Sequence, residues 1–284
     1  MRFIISFTTS PCRISKCKTM IDAILSQSKQ PDLIILNIPE VFPRTNEKYV
    51  IPDFIQDKVV VNVIKQDYGP ATKLLPTVKY LKNNNYDIKS TYIIYLDDDI
   101  RYTNNMIDTF HFLFTLNKQE RVLCGGGFHF VVVNGQIRLS GQRKHGDSVS
   151  VVEGYAAVCT PLSIFKEDFV PYMEKYTLDP SKKECLLSDD VIFSNYYSMK
   201  KIPMNVVNIP GKYSLLDLWK YKCILDYGNQ ADALHCGANG TTNTNVGRYP
   251  SVLKTLKENN ELHIQVYNAP TQQSNFINTL YNSN

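Results

Sequence analysis

Asp97, Asp98 and Asp99 stand side by side in YIIYLDDDIRY, residues 92–102. Adjacent carboxylates repel one another unless a cation lies among them or some take up protons. Mg2+ and Mn2+ are hard cations that prefer oxygen ligands, commonly one or two carboxylates completed by phosphate oxygens and water. The run therefore points to a divalent cation bridging the chain to a diphosphate. Its plain alternative is a solvated turn, with an aspartate capping the helix that follows. A second acidic pair, Asp189 and Asp190, opens the stretch SDDVIFSNYYSMK at 188–200.

The elements that must position these groups follow from apolar periodicity. Residues 2–7, 32–37 (DLIILN), 59–64 (VVVNVI) and 92–96 read as buried strands. Ile14, Cys17, Ile21, Ile24 and Leu25 recur at helical spacing, as do Leu74, Leu75, Val78 and Leu81. Pro76 is tolerated near a first helical turn. A further helix is expected over 104–116, and residues 39–57 read as a loop. This alternation predicts an α/β fold with a mainly parallel sheet covered on both faces. Ligands in such sheets bind beyond the carboxyl ends of the strands, where the three aspartates fall. Beyond residue 120 the pattern changes. FHFVVVNGQIRLSG carries Asn134-Gly135 between two β-like runs, a hairpin signal. SVVEGYAAV at 150–158 reads as another strand, 188–200 as a helix with Ser188 at its N-cap, and 204–209 as a last strand. The expected organisation is one domain over 1–265 and a polar tail over 266–284, with no internal repeat.

Composition narrows the function classes. The chain has 284 residues, is 43% hydrophobic and 20% charged, and carries a formal net charge of +4. Its charges are well mixed, which gives no electrostatic case for a nucleic-acid partner. No window approaches the roughly 18 apolar residues of a membrane span. MRFIISF is too short for a signal peptide, so a cytoplasmic location is expected, with peripheral association left open. Seven cysteines (Cys12, Cys17, Cys124, Cys159, Cys185, Cys223, Cys236) form no CxxC and read as free thiols in a reducing compartment. Zinc is not expected, because the one close Cys/His pair is the adjacent His235-Cys236. The GxxxxGK phosphate loop and GxGxxG are absent. Arg101 stands where aspartate-based phosphatases carry Thr or Val. Gly125-Gly126-Gly127 reads as a tight crossing near the site.

In order, FIISFTTSPCRI, DYGPATKLLP, YLDDDIRY, EGYAAVCTP and LSDDVIFSNYY resemble successive blocks of GT-A-fold, family 2-like glycosyltransferases, which use nucleotide-diphosphate sugars. The resemblance spans roughly residues 1 to 240. It implies that Thr8, Thr9 and Arg13 hold the nucleotide, unless Thr8 or Thr9 only caps the next helix. It implies that Asp67 accepts the imide N–H of uracil, Tyr68 stacks on the base and Lys73 reaches the diphosphate; the alternative is a Tyr-Gly-Pro turn capped by Thr72. Asp97 and Asp99 match the Asp-x-Asp pair, with Asp99 the direct metal ligand, Asp97 beside the ribose or a metal-bound water, and Asp98 between them at the nucleotide-sugar. Gly154, Tyr155 and Ala156 fall on the acceptor side, unless 153–157 is an ordinary core strand. Asp190 matches the acceptor's general base. The family pair is often Glu-Asp, so Asp189 stays open for that role, as does the simpler reading of two acids at a helix N-terminus. His235 is the candidate for a late metal ligand. His145, in GQRKHGD, and Trp219 with Tyr221 are weaker candidates for acceptor or phosphate contact.

The resemblance thus implies a hexosyltransferase of the GT-A type, dependent on Mn2+ or Mg2+. It would move a sugar from a nucleotide-diphosphate donor, expected to be a UDP-sugar, to a hydroxyl acceptor with inversion. The acceptor classes left open are a glycan, a lipid-linked sugar, a protein and a small molecule. The alternatives are an inactive nucleotide- or sugar-binding module and a sugar-1-phosphate nucleotidyltransferase; FTTSPCRI lacks the Gly-rich loop the latter requires.

Overall fold

The first strand, β1 (Arg2–Thr8), divides its side chains between two cores. Ile4 joins one, while Phe3, Ile5 and Phe7 join the other. The computed structural model describes residues 1–117, 119–140, 145–207 and 245–268. After β1 come α1 (Lys18–Leu25), β2 (Leu33–Pro39), α2 (Asp53–Gln56), β3 (Val60–Ile64), α3 (Leu75–Asn83), β4 (Thr91–Tyr95) and α4 (Met106–Leu116). Short strands follow: β5 (Val122–Cys124), β6 (Gly127–Phe128), β7 (Phe130–Val133), β8 (Gln136–Leu139), β9 (Val151–Val152) and β10 (Val158–Pro161). The chain continues through α5 (Phe169–Thr177), α6 (Lys183–Leu186), α7 (Asp189–Met199), β11 (Met204–Val206), α8 (Asn245–Glu258) and β12 (Val266–Asn268).

Seven strands form the central sheet in the order β11-β5-β10-β4-β1-β2-β3. β1, β2, β3 and β4 run parallel, as do β5 and β11; β10 is inserted antiparallel between β4 and β5. Helices α3, α5 and α7 cover the face that carries Ile4, Ile35, Ile93 and Tyr95. Helices α1 and α4 cover the face with Phe3, Ile5, Leu36 and Ile94. Burial on both faces is why the strands read as continuous apolar runs. This is a mixed, mainly parallel, Rossmann-like α/β sheet covered by helices on both faces, as the strand and helix periods predict.

The hairpin at Asn134-Gly135 joins β7 to β8, with φ of 51° and 75° at the two turn residues, as a type I′ turn requires. Four expectations need correction. The run 150–158 is two strands, interrupted by a 3-10 turn at Gly154–Ala156. The loop over 39–57 contains the short helix α2. Ser188 occupies the N-cap position of α7, but its hydroxyl makes no capping bond. Residues 266–268, assigned to the tail, pair in parallel with β7 as β12; the rest of the tail lies outside the described residues. Among the described residues no helix is long and apolar enough to cross a membrane, and Cys12, Cys17, Cys124, Cys159 and Cys185 are free thiols.

Candidate functional site

The loops leaving β1 and β4 meet at the carboxyl ends of these parallel strands. Asp98 is the buried member of the aspartate run, 9% exposed. Its Oδ2 accepts from Arg13 Nε at 3.1 Å and from Thr9 Oγ1 at 2.5 Å, while Arg13 Nη2 pairs with its Oδ1. A buried carboxylate needs such donors. Arg13 Nη2 also lies 3.0 Å from Asp99 Oδ2. Thr9 and Arg13 therefore hold the aspartate loop rather than standing open toward a ligand. Thr8 Oγ1 donates to the Asn37 carbonyl at 2.8 Å and stabilises the β1–β2 edge. Neither threonine caps a helix.

Lys73 reaches the site from the 3-10 turn before α3. Its ammonium lies 2.5 Å from Asp97 Oδ1 and 3.3 Å from Asp189 Oδ2, so it ties the β4 loop to the start of α7. Burial alone would favour its neutral form, but Asp189, Asp97 and Asp190 hold its pKa well above the ordinary lysine value. The turn of Lys73 is anchored from below by a buried polar chain. Ser6 Oγ donates to the Lys73 carbonyl and meets Thr77 Oγ1. Asn37 Nδ2 bonds Thr77 at 2.8 Å, and Asn62 Nδ2 bonds Asn37 Oδ1 at 2.8 Å.

Asp189 and Asp190 occupy the first turn of α7. Asp190 Oδ1 accepts from the Gly154 amide at 3.0 Å. A side chain at Gly154 would sit 2.9 Å from Lys73 Nζ and 3.1 Å from Asp190 Oδ1, so the glycine lets both groups approach this backbone closely. Burial, then the Asp189 charge, pushes the Asp190 carboxyl well above the usual carboxylate range, with Lys73 opposing. Tyr155 is half-buried beside this pair and Ala156 is buried. Glu153, named in the EGYAA run but given no role, is raised to about 7 by burial. Its Oε2 lies 3.3 Å from where a Gly126 side chain would begin.

Tyr68 and Asp67 lie in the turn that follows β3. Tyr68 is 5% exposed, and its hydroxyl is held by Lys79 at 2.9 Å and Glu174 at 3.1 Å. It packs in the α3–α5 core and offers no open face for a base. Asp67 Oδ1 accepts from the Gly69 amide at 3.0 Å and from Thr72 Oγ1 at 3.1 Å, so it shapes the turn, with Thr72 in the capping role named as the alternative. Tyr49, within the region read as a loop, donates from its hydroxyl to the Thr9 carbonyl at 2.9 Å. Burial raises its pKa, and Asp67 adds to the rise. It is the aromatic group beside the cleft that periodicity gave no reason to single out. His145 is exposed at the end of its loop. His235, Trp219 and Tyr221 lie outside the described residues.

Among the described residues, Arg13 thus pairs with Asp98 and Asp99 and Lys73 with Asp97 and Asp189, while Asp190 takes a backbone amide. Asp99 is raised to about 6 by burial and then by Asp98 and Asp97. Asp97 and Asp99 have side chains 34% exposed, against 8% for Asp98. Among the described residues no three His, Cys, Asp or Glu side chains are grouped to hold a metal by themselves. Two accessible carboxylates with surplus negative charge fit a hard cation that completes its shell with phosphate and water. They do not fit an ion enclosed by protein ligands alone.

The sequence matches no family model and no curated protein. Among solved structures, the fold is similar to the 1–349 fragment of S. aureus TarS, at 9% identity and a TM-score of 0.45 over 77% of this chain. This chain spans 61% of that fragment. The same fragment in complex with UDP matches at 10% identity and TM-score 0.41, over 73% of this chain and 61% of that one. A 4-diphosphocytidyl-2C-methyl-D-erythritol synthase matches at 12% identity and TM-score 0.41, over 76% of this chain and 93% of that one.

Proposed function

We propose that this chain is a glycosyltransferase that moves a sugar from a nucleotide-diphosphate donor, a UDP-sugar, to a hydroxyl acceptor with inversion. One observation carries the reading. Two accessible carboxylates after β4, a buried lysine and a second carboxylate pair raised toward neutrality converge at the carboxyl edge of a parallel sheet. A divalent cation, Mn2+ or Mg2+, held by Asp97 and Asp99 would neutralise charge on the departing diphosphate. Lys73 keeps its proton between Asp97 and Asp189 and adds fixed positive charge close to that leaving group. Asp190, oriented by the Gly154 amide, takes the proton of the acceptor hydroxyl as it attacks an anomeric carbon of oxocarbenium character. Asp189 holds Lys73 and, by its charge, raises the proton affinity of Asp190. Thr9, Arg13 and Asp98 set the loop on which Asp97 and Asp99 stand.

The test is thermal stabilisation by UDP, GDP, CDP and ADP, each with and without Mn2+. A ligand that binds only the folded state stabilises it by mass action. Mn2+-dependent stabilisation by UDP is expected, with loss in Asp99→Asn and retention in Asp190→Asn. Stabilisation by none of the four would return the aspartates to a structural turn. Stabilisation without turnover of any UDP-sugar would favour a binding module instead. A product of retained configuration would remove the base role from Asp190 while leaving a transferase.

A further inference from the structure

We propose that Tyr102 is a positioning residue that locks the aspartate loop to the turn at residues 153–157, so that ligand binding at one is transmitted to the other. The ligands used to probe the link rest on the transferase reading; the link itself is read from bonds that do not depend on it.

β4 ends at Tyr95. Leu96 still donates to the Ser6 carbonyl at 3.1 Å, but the Asp97 amide has left the ladder. An amide that leaves the ladder needs another acceptor, and it finds the Tyr102 hydroxyl at 3.2 Å. The same hydroxyl lies 3.0 Å from the Tyr155 carbonyl and 3.4 Å from that of Asp97. It has one proton, and the nearer carbonyl takes it. Tyr102 is 2% exposed and packs in the core with Ile100 and Met106, which fixes its hydroxyl between the two segments.

The turn that receives this bond is held on every side. The Gly154 amide donates to Asp190 Oδ1. The Gly125 amide lies 3.1 Å from the carbonyls of both Ala156 and Ala157. Ala157 has φ of 57°, a region that alanine enters only when its surroundings force it there. A turn so constrained moves as a unit. A shift of the Asp97 backbone is passed through Tyr102 to the Tyr155 carbonyl, and from there to the Gly154 amide that orients Asp190. The aspartate loop and the base are thereby placed by one phenol, five residues after Asp97.

Amide exchange resolved by residue tests this in the unaltered chain, in Tyr102→Phe and in Val78→Ala, a core change on the opposite face of the sheet. In the unaltered chain the Asp97 amide is expected to exchange slowly, and UDP with Mn2+ to slow Gly154 and Ala157 further. In Tyr102→Phe the Asp97 amide should exchange roughly fivefold faster or more, the effect of losing one ordinary hydrogen bond. UDP with Mn2+ should still bind that variant but no longer slow Gly154. Val78→Ala should lose stability yet keep the response, which separates positioning from general loosening. Equal slowing of Gly154 in Tyr102→Phe, or an unchanged Asp97 rate, overturns the inference. If UDP with Mn2+ fails to bind the unaltered chain, the transferase reading falls and the Asp97 rate alone decides the link. If Tyr102→Phe does not fold, loop-like exchange at Asp97 in the unaltered chain overturns the proposal and slow exchange supports it.

Discussion

Two acidic residues show how environment assigns roles to like side chains. Asp98 has both oxygens occupied by Arg13 and Thr9, and these charge-assisted bonds make it a structural member of the site. Glu153 has no ion pair among the described residues, and burial holds it near 7. This has a consequence for stability. An acid whose folded pKa is raised binds more protons folded than unfolded, so its contribution is present below about 4.5 and is lost as pH rises through about 7. Glu153→Gln should therefore stabilise the fold at pH 8, by about 3 kcal/mol, and make no difference at pH 4. Urea unfolding at the two pH values measures it. An equal effect at both would show that Glu153 is not held protonated by burial.

At the scale of elements, the site depends on backbone segments in close approach. β5 runs into a glycine segment that crosses the turn before β10. A side chain at Gly125 would begin 2.2 Å from the Ala156 carbonyl oxygen, a backbone atom that cannot turn aside. At Gly126 the new methyl would meet only side-chain atoms, the nearest at 3.0 Å. Gly125→Ala should cost about 3 kcal/mol or more, as overpacking against fixed atoms does, and Gly126→Ala clearly less. Comparable midpoints of unfolding for the two variants would show that the crossing is looser than this. The polar chain Ser6–Thr77–Asn37–Asn62 belongs to the same scale. It interrupts three apolar strands in order to hold the Lys73 turn in place.

For the molecule as a whole, Lys73 joins three distant parts of the chain by charge. It comes from the turn before α3 and meets Asp97 after β4 and Asp189 at the start of α7. Removing one partner of a buried ion pair leaves the others uncompensated, typically at about 3–5 kcal/mol. Lys73→Met should lose stability on that order at pH 7, with a smaller loss near pH 4, where Asp189 and Asp190, both raised by burial, take up protons. Denaturant unfolding at both values is the check. An unchanged midpoint at pH 7 would mean that solvent already screens the cluster.

The sequence by itself determined the main strands and helices of the first half and marked a candidate site. Strand and helix periods are local, so β1 to β4, α3, α4 and the Asn134-Gly135 hairpin were legible, as was an acidic run at a strand end. Tyr102 was in plain view within YIIYLDDDIRY, but a phenol five residues beyond a carboxylate carries no signal until the loop folds back. Only the tertiary structure decided which partner each charge takes. Arg13 meets Asp98 across a separation of 85 residues and Lys73 meets Asp97 across 24. Tyr68 turns into the core and Tyr49 comes to the cleft for the same reason. Such pairings follow from the order in which strands enter the sheet, including the antiparallel insertion of β10. That order is fixed by burial summed over both faces, and no local run of residues encodes it.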